Sequence, residues 1–183
     1  LWMARMAPVK NPSLALEVAR LLPKVNFLMA GGGELFNQIK EQAPPNVQLL
    51  SWVNAADVIP AADIFLSTSL NEGVPYALLE VLSAGVPIIA VESGAMAEIL
   101  VQGVNGVLTS QDPGEISAQI SHLISNSNLT LKVREKLLVD SSQNSSVPSM
   151  VLKHNHAYKE LLEEYSFHHT TIEVSQNFPD SAT

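Results

Sequence analysis

The sequence predicts an α/β domain in which helices cover both faces of a parallel sheet of about six strands. Short apolar runs alternate along the chain with segments of helical periodicity, and glycine or proline stands at most of the junctions. The 183 residues are 46% hydrophobic, which is enough for one sizeable core. This pattern is typical of a doubly wound, Rossmann-like domain with right-handed crossovers.

The first half of the chain supplies three strands, from the apolar runs at residues 1–4, 25–30 and 47–50. Asn11 and Pro12 predict the start of a helix, because asparagine is a favoured N-cap and proline suits the first helical position. The three glycines at 31–33 predict the turn from the second strand into the next helix.

The second half supplies the other three strands, from the apolar runs at residues 63–68, 86–91 and 106–109. A turn at 71–73 leads to a helix for which Pro75 favours the first position, and Gly85 predicts its left-handed end. Asp112 predicts the cap of a later helix, and a further helix is predicted over residues 129–139.

Composition changes near residue 140. We therefore expect a domain over residues 1–139, a polar linker and a helix with an apolar stripe over 140–165, and a flexible tail over 166–183. The chain begins with Leu1 and enters an apolar run at once, so we expect it to be a piece of a longer protein.

The overall charge excludes some classes of function. Lys and Arg number 10 and Asp and Glu number 18, which gives a net charge of −8 and no basic footprint for nucleic acid. No apolar run has the length of a membrane span, and no signal peptide is visible. The chain has no cysteine, which suits a reducing compartment, and we expect a cytoplasmic location.

Two glutamates stand where a parallel sheet binds ligands. Glu72 lies in the loop after a predicted strand, and Glu80 lies in the helix that this loop starts. In open parallel sheets, ligands bind at this carboxyl edge. Each glutamate also has a simpler interpretation: Glu72 as an acid favoured by the helix dipole, and Glu80 as an exposed helix residue.

Two cations follow the first predicted strand, at the same edge. Arg5 can donate two parallel hydrogen bonds to a phosphate, and Lys10 supplies a point charge. We expect both to lie in an exposed loop. Taken alone they would be solvated surface cations, but beside the glutamate pair we interpret them as part of an anion site.

These residues, in this order, resemble the retaining glycosyltransferases of family 4, which have the GT-B fold. The family has a glutamate, seven residues and a second glutamate, as in Glu72 and Glu80. Further matches are the strand at 63–66, the Ala-Gly-Val-Pro run at 84–87, Gly94 with Glu98, Asn105 with Gly106, Arg5, Lys10 and the glycine turn. Pro75 and Ala95 stand where the family often has glycine. The resemblance covers residues 5–124 and implies one half of a GT-B fold, the donor-binding domain.

The resemblance implies a role for each of these residues. Arg5, Lys10 and Glu72 form the catalytic set: the cations hold the donor diphosphate, and Glu72 binds hydroxyls of the donor sugar. Glu80 binds the ribose diol. The other implied donor-binding residues are Gly32 in the glycine turn, Gly73, Val74, Pro75, Tyr76 and Ala77 at the helix start, and Val53 or Trp52 near the base. For Trp52 itself, a place in the core is the preferred interpretation.

The implied reaction is a hexosyl transfer from a UDP-sugar such as UDP-glucose to a saccharide or lipid-linked acceptor in polysaccharide biosynthesis. We expect no cofactor beyond this donor and no metal, because the chain lacks the Asp-x-Asp signature of the other main glycosyltransferase fold. In GT-B enzymes an N-terminal domain holds the acceptor, and that domain is missing here. We therefore expect this piece to bind donor without transferring sugar, and any peripheral membrane contact to come from the missing domain.

Other functions stay open at this point. A nicotinamide dehydrogenase is disfavoured because Phe36 occupies the third glycine position of G-x-G-x-x-G, and no acid follows the next strand near Leu50. A non-catalytic module that binds a sugar nucleotide, and a UDP-sugar epimerase of the same fold, are not distinguished from a transferase by the sequence.

Overall fold

The computed structural model describes residues 1–73, 76–94, 96–144, 151–152 and 154–163 of the chain. The chain divides into two compact units, residues 1–142 and 143–183. All of the strands among the described residues lie in the first unit, and residues 151–152 and 154–163 of the second are helical. Within the described ranges, no helix combines the length and the apolar character that crossing a bilayer requires.

The first unit alternates short strands with helices, in the predicted order. Its strands are β1 (Trp2–Met3), β2 (Phe27–Ala30), β3 (Val47–Leu50), β4 (Phe65–Ser67), β5 (Ile88–Val91) and β6 (Gly106–Thr109). The helices are α1 (Pro12–Leu21), α2 (Phe36–Gln42), α3 (Ala55–Val58), α4 (Tyr76–Ser83), α5 (Met96–Ile99), α6 (Pro113–Ser125) and α7 (Ser127–Asn144). Short 3₁₀ turns lie at Pro8–Lys10 and Ile59–Ala61. Helix α7 extends past residue 140, and the predicted division into domain, linker and tail stays a prediction.

The strands form two parallel sheets of three, which backbone hydrogen bonds join at β1 and β4. One sheet has the order β1-β2-β3 and the other β4-β5-β6. The Leu1 nitrogen donates to the Ile64 oxygen at 2.7 Å, and the Leu66 N–H donates to the Leu1 oxygen at 2.8 Å. The combined order is therefore 3-2-1-4-5-6, which is that of a Rossmann-like fold. The predicted fold class is confirmed.

Strand β5 shows that both faces of the sheet are covered. Ile89 packs into one hydrophobic cluster with Leu16 of α1, and Ile88 packs into another with Leu78 of α4. Successive side chains of a strand point to opposite faces, so α1 and α4 lie on opposite faces of the sheet. The loops that follow β1 and β4 therefore leave the edge in opposite directions, and a crevice lies between them.

Two helix ends test the predictions made from turn residues. Gly85 has a φ of +70° and its N–H donates to the Leu82 oxygen at 3.0 Å, which confirms the predicted left-handed end of α4. Asn11 occupies the N-cap position of α1 with Pro12 after it, which confirms the predicted helix start, but Asn11 has a φ of 45° and makes no side-chain capping bond. The prediction that Pro75 starts α4 lies outside the described residues.

Candidate functional site

The loops that follow β1 and β4 meet at the carboxyl edge of the sheet. The Leu70 N–H of the second loop donates to the Val9 oxygen of the first at 2.8 Å. A cavity of about 280 Å³ lies at this meeting point. Ligands of open α/β sheets bind where the strand order reverses, and here the reversal is between β1 and β4.

Five of the predicted site residues line this cavity. Arg5 and Lys10 come from the loop after β1, Glu72 from the loop after β4, and Tyr76 and Ala77 from the first turn of α4. The parallel strands bring these separate segments to one edge, because each strand ends there. The first N–H groups of a helix lack intrahelical partners, so this turn of α4 adds hydrogen-bond donors to the cavity wall.

Lys10 and Glu72 form an ion pair in the cavity. The Lys10 side chain is 22% exposed and that of Glu72 is 10% exposed. A carboxylate this sheltered from water needs a partner, and Lys10 provides it. The expected exposure of the cations is therefore wrong for Lys10, whereas Arg5 is exposed, with no partner for its guanidinium among the described residues.

The glycine turn packs directly against the backbone that carries Arg5. Gly31 has a φ of +136°, and a Cβ added there would lie 2.0 Å from the Ala4 oxygen. The Met6 N–H donates to the Gly32 oxygen at 2.8 Å. The turn therefore needs glycine both for its backbone angle and for the close approach, and it fixes the Arg5 loop against the end of β2.

A second glycine contact positions the backbone of Glu72. Gly94, in the turn after β5, has a φ of +52°, and a Cβ added there would lie 1.9 Å from the Glu72 oxygen. No side chain fits between these two segments. The turn after β5 therefore fixes the position of the Glu72 backbone at the carboxyl edge of the sheet.

Trp52 lies at the same edge of the sheet but on the surface. Its side chain is 69% exposed, so the preferred interpretation as a core residue is wrong. The indole lies over Gly32, where an added Cβ would be 2.5 Å from Nε1. Val53 is 40% exposed. Both follow β3, an outer strand of the combined sheet, and neither lines the cavity.

The remaining predicted donor-binding residues are not gathered in the cavity. Glu80 lies on α4 one turn after Tyr76, is exposed, and is not part of the cavity wall. Gly73 is exposed, and apart from its chain neighbours no described atom lies within 4 Å of a Cβ added there. Val74 and Pro75 lie outside the described residues.

Sequence reasoning missed three polar residues beside the cavity. The Trp2 Nε1–H donates to Thr68 Oγ1 at 2.8 Å, and Thr68 Oγ1 lies 2.9 Å from the carbonyl oxygens of both Lys10 and Asn11. Ser69 is 3% exposed and lines the cavity. The available signal was the run of hydroxyl residues at 67–69, where a strand reaches the ligand-binding edge.

A larger cavity of about 1040 Å³ lies at the opposite edge of the sheet. Leu1, Asn26 and Asp63 line it near the amino ends of strands, together with Ile124 and Arg134. None of the predicted site residues reaches it. Because ligands bind at the carboxyl edge of such sheets, and the charged groups converge there, we assign the candidate site to the smaller cavity.

The arrangement suits a ligand that carries phosphate at one end and hydroxyl groups at the other. Arg5, Lys10 and the first turn of α4 are hydrogen-bond donors that suit phosphate oxygens. Glu72 is an acceptor that suits hydroxyl groups. In the part of the chain that the structure describes, no group of three His, Asp or Glu side chains is arranged to hold a metal ion.

Comparison with known protein families identifies the class. A sequence profile of the family described as "Glycosyl transferases group 1" matches residues 1–126, which is more than half of the chain. The chain belongs to this family of glycosyltransferases.

Curated relatives of the chain include two glycosyltransferases of Escherichia coli. The UDP-Gal:alpha-D-GlcNAc-diphosphoundecaprenol alpha-1,3-galactosyltransferase of Escherichia coli is 38% identical over 98 residues, covering 46% of this chain and 25% of that protein. The O-antigen biosynthesis glycosyltransferase WbnH of Escherichia coli is 28% identical over 125 residues, covering 67% of this chain and 36% of that protein. The chain thus matches between 25% and 36% of the length of these two relatives.

Solved structures share the fold. HepE of Anabaena in complex with UDP and glucose has a TM-score of 0.75 at 22% identity, over 89% of this chain and 47% of that chain. The C-terminal domain of LpcC, a group 1 glycosyl transferase family protein of Francisella tularensis, has a TM-score of 0.66 at 21% identity, over 80% of this chain and 85% of that chain. At these identities the likeness concerns the fold alone.

Proposed function

We propose that this chain is the donor-binding domain of a retaining, family 4 glycosyltransferase of GT-B architecture. It would serve the transfer of a hexose from a UDP-hexose such as UDP-glucose to a saccharide or lipid-linked acceptor in polysaccharide biosynthesis. The observation that carries this proposal is the cavity at the β1–β4 reversal, where Arg5, Lys10 and the start of α4 meet Glu72. The functions of the two Escherichia coli relatives and the UDP bound to HepE support the choice of donor and pathway.

The donor diphosphate is assigned to the basic side of the cavity. Arg5 is exposed and has no described partner, so its guanidinium is available to two phosphate oxygens. The Ser69 hydroxyl and the first N–H groups of α4 add uncharged donors. Negative charge on the diphosphate grows as the glycosidic bond breaks, so these donors stabilise the transition state more than the bound substrate.

The donor sugar is assigned to Glu72. A lysine ammonium has three N–H donors, so Lys10 can keep its bond to Glu72 while it donates to a phosphate oxygen. Glu72 retains acceptor capacity for sugar hydroxyls, because a carboxylate accepts about four hydrogen bonds. The pair therefore links the phosphate end of the donor to its sugar end.

The nucleoside is assigned to the residues along the edge outside the cavity. Glu80 on α4 would accept hydrogen bonds from the ribose diol. The base would lie near Val53 and Trp52, beside the turn at Gly32, where the exposed indole offers an aromatic surface. Gly73, Val74 and Pro75 would approach the sugar and phosphates as the loop enters α4.

The acceptor is assigned to a second domain of a longer protein. Transfer requires an acceptor hydroxyl held against the anomeric carbon, and such positioning accounts for much of the rate of a two-substrate reaction. We therefore expect the 183-residue chain to bind donor without transferring sugar. The cations supply the charge that a metal supplies in other transferases, so donor binding is expected to survive EDTA. The absence of cysteine fits a cytoplasmic location.

Calorimetric titration with UDP, GDP, ADP, NAD and UDP-glucose tests the proposal. UDP and UDP-glucose are expected to bind, and UDP at 100 times its Kd should raise the free energy of unfolding by about 2.7 kcal/mol. Failure of all three nucleoside diphosphates at millimolar concentration would sink the proposal, and binding of NAD without UDP would favour a dehydrogenase. Conversion of UDP-glucose to another UDP-sugar without an acceptor would identify an epimerase.

A further inference from the structure

Thr68 connects the two loops that form the site. Its side chain is completely buried, at the end of β4. Its hydroxyl accepts a hydrogen bond from Trp2 Nε1 at 2.8 Å. Trp2 lies in β1, 66 residues earlier in the chain. The Thr68 hydroxyl lies 2.9 Å from the Lys10 oxygen and 2.9 Å from the Asn11 oxygen. One hydroxyl thus joins β1, the β4 loop and the backbone of a proposed phosphate-binding residue.

The backbone that Thr68 holds has an uncommon conformation. Asn11 has a φ of 45° and a ψ of 56°, and among the described residues no other non-glycine residue has a positive φ. Left-handed backbone costs free energy outside glycine and persists where neighbouring contacts enforce it. The side chain of Asn11 makes no capping bond, so its own amide does not compensate. Thr68 contacts the backbone at this point, through the carbonyl oxygens of Lys10 and Asn11.

Position and hydrogen-bond capacity both indicate that this contact acts on Lys10. A threonine hydroxyl has one proton, so a single donor is shared between the carbonyls of Lys10 and Asn11 while the indole N–H fixes the direction of the oxygen. The Lys10 side chain then reaches Glu72 across the cavity. A rotation of the Lys10 backbone would move the ammonium away from both Glu72 and the cavity.

We propose that Thr68 is a positioning residue that sets Lys10 for the donor diphosphate and couples it to Glu72; this rests on the proposed donor site. Thr68 itself does not line the cavity. The competing interpretation is that the hydroxyl only satisfies the buried indole N–H of Trp2. In that case its loss would lower the free energy of unfolding without a specific effect on phosphate binding.

The test compares three threonine variants by UDP titration at a temperature where each is folded. Thr68→Val keeps the shape and removes the hydroxyl, and is expected to bind UDP about tenfold more weakly, equivalent to about 1.4 kcal/mol. Thr68→Ser restores the hydroxyl and is expected to bind within about twofold of wild type. Thr109→Val is the matched control. Thr109 is 3% exposed, and its hydroxyl donates to the Ala90 oxygen over a distance of 3.3 Å. This hydrogen bond lies away from the cavity. The UDP affinity of the control variant should be unchanged.

A double-mutant cycle with Lys10→Met separates positioning from a general loss of stability. If Thr68 acts through Lys10, Thr68→Val should weaken UDP binding in the wild-type background and change it by less than about twofold in the Lys10→Met background. Equal losses in both backgrounds would overturn the proposal, and so would a tenfold loss in folded Thr68→Ser. Should Thr68→Val fail to fold, Trp2→Phe removes the indole N–H together with part of the buried ring system, and should weaken UDP binding about threefold; unchanged affinity would overturn the proposal.

The outcome also distinguishes this inference from the proposed function. If wild type binds UDP and Thr68→Val binds it equally well, the positioning role is wrong and the donor site stands. If wild type binds no nucleoside diphosphate, the donor site and the positioning role fall together.

Discussion

The two halves of the sheet give different chemistry to one site. The half built from β1, β2 and β3 supplies Arg5 and Lys10, together with a glycine turn that packs on the backbone. The half built from β4, β5 and β6 supplies Glu72 and the first turn of α4. Cations and carboxylate therefore come from opposite sides of the β1–β4 seam.

Neither half of the sheet therefore carries all of the candidate site residues by itself. The halves are tied at the seam by the Leu70–Val9 backbone bond, the ion pair and the contacts of Thr68. Each tie joins a loop of one half to a loop of the other. A change confined to one half is therefore expected to be felt by a ligand that spans both.

The largest expected effect is on the second half, through Gly94. Gly94→Ala is expected to lower the free energy of unfolding by about 3 kcal/mol, because a Cβ meets the Glu72 oxygen at 1.9 Å in addition to the strain of positive φ. Gly103→Ala is the matched control: Gly103 has a φ of +71°, but apart from its chain neighbours no described atom lies within 4 Å of its Cβ position. The free energy of unfolding of Gly103→Ala should fall by about 1 kcal/mol, from the strain of positive φ alone. Urea unfolding measures both, and equal losses would contradict the contact with Glu72.

Next in size is a charge reversal in the first half. Lys10→Glu is expected to weaken UDP binding about 100-fold, because it replaces the proposed hydrogen-bond donor to the diphosphate by a second carboxylate beside Glu72. The free energy of unfolding should also fall, since Glu72 loses its partner. The control is Lys24→Glu, because Lys24 is an exposed lysine that lines the larger cavity at the opposite edge. Calorimetry of the control should give wild-type affinity; a loss as large as in Lys10→Glu would point to overall charge instead.

A smaller effect separates the two carboxylates of the second half. Glu72→Gln is expected to weaken UDP-glucose about tenfold and UDP by less than about twofold, because Glu72 is assigned to the sugar. Glu80→Gln should weaken both ligands by about the same factor, because it is assigned to the ribose they share. Titration with both ligands distinguishes the roles. A Glu72→Gln variant that loses equal affinity for both would refute the assignment of Glu72 to the sugar.

The smallest expected effect lies at the seam itself. Burial lowers the pKa of the Leu1 amino group from 8.0 to about 6, against a weaker opposite influence of Asp63. The unfolded chain therefore binds more protons between pH 6 and pH 8, and the folded chain is more stable at the upper end. For a chain that begins at Leu1, the free energy of unfolding should fall by about 1 kcal/mol from pH 8 to pH 7.

Acetylation of the Leu1 amino group removes this titration while leaving the rest of the chain unchanged. In urea unfolding of the acetylated chain, the free energy of unfolding should therefore no longer fall by this amount from pH 8 to pH 7. If the pH dependence survives acetylation, another group is responsible and the seam is not the origin.

The sheet and the convergence of the loops could be predicted from the sequence. Strands buried on both faces are continuous apolar runs, as in Ile88–Val91, and such runs are visible without an alignment. Parallel strands end at one edge, so Lys10 and Glu72 were expected on the same side. Only residue types and chain order were needed for this.

The contacts across the seam could not be predicted. Trp2 and Thr68 lie 66 residues apart, and no local pattern pairs an indole with a hydroxyl at that separation. Lys10 was expected to be exposed because the partner that shelters it lies in another loop. Trp52 was interpreted as core because aromatic residues are buried on average, whereas it follows an outer strand with its indole over Gly32. In each case the missing information was the neighbour in space.

In the proposed donor site, the ion pair between Lys10 and Glu72 would favour a ligand that reaches both partners over one that reaches a single partner. A small inorganic anion can accept a hydrogen bond from Lys10, but it offers nothing to the Glu72 carboxylate, which is 10% exposed. A free sugar has hydroxyls for Glu72 but no counterion for the cations. A molecule that joins a phosphate to a hydroxyl-rich ring satisfies both partners at once, so on this proposal the pair favours a nucleotide sugar over a free sugar or a free inorganic anion.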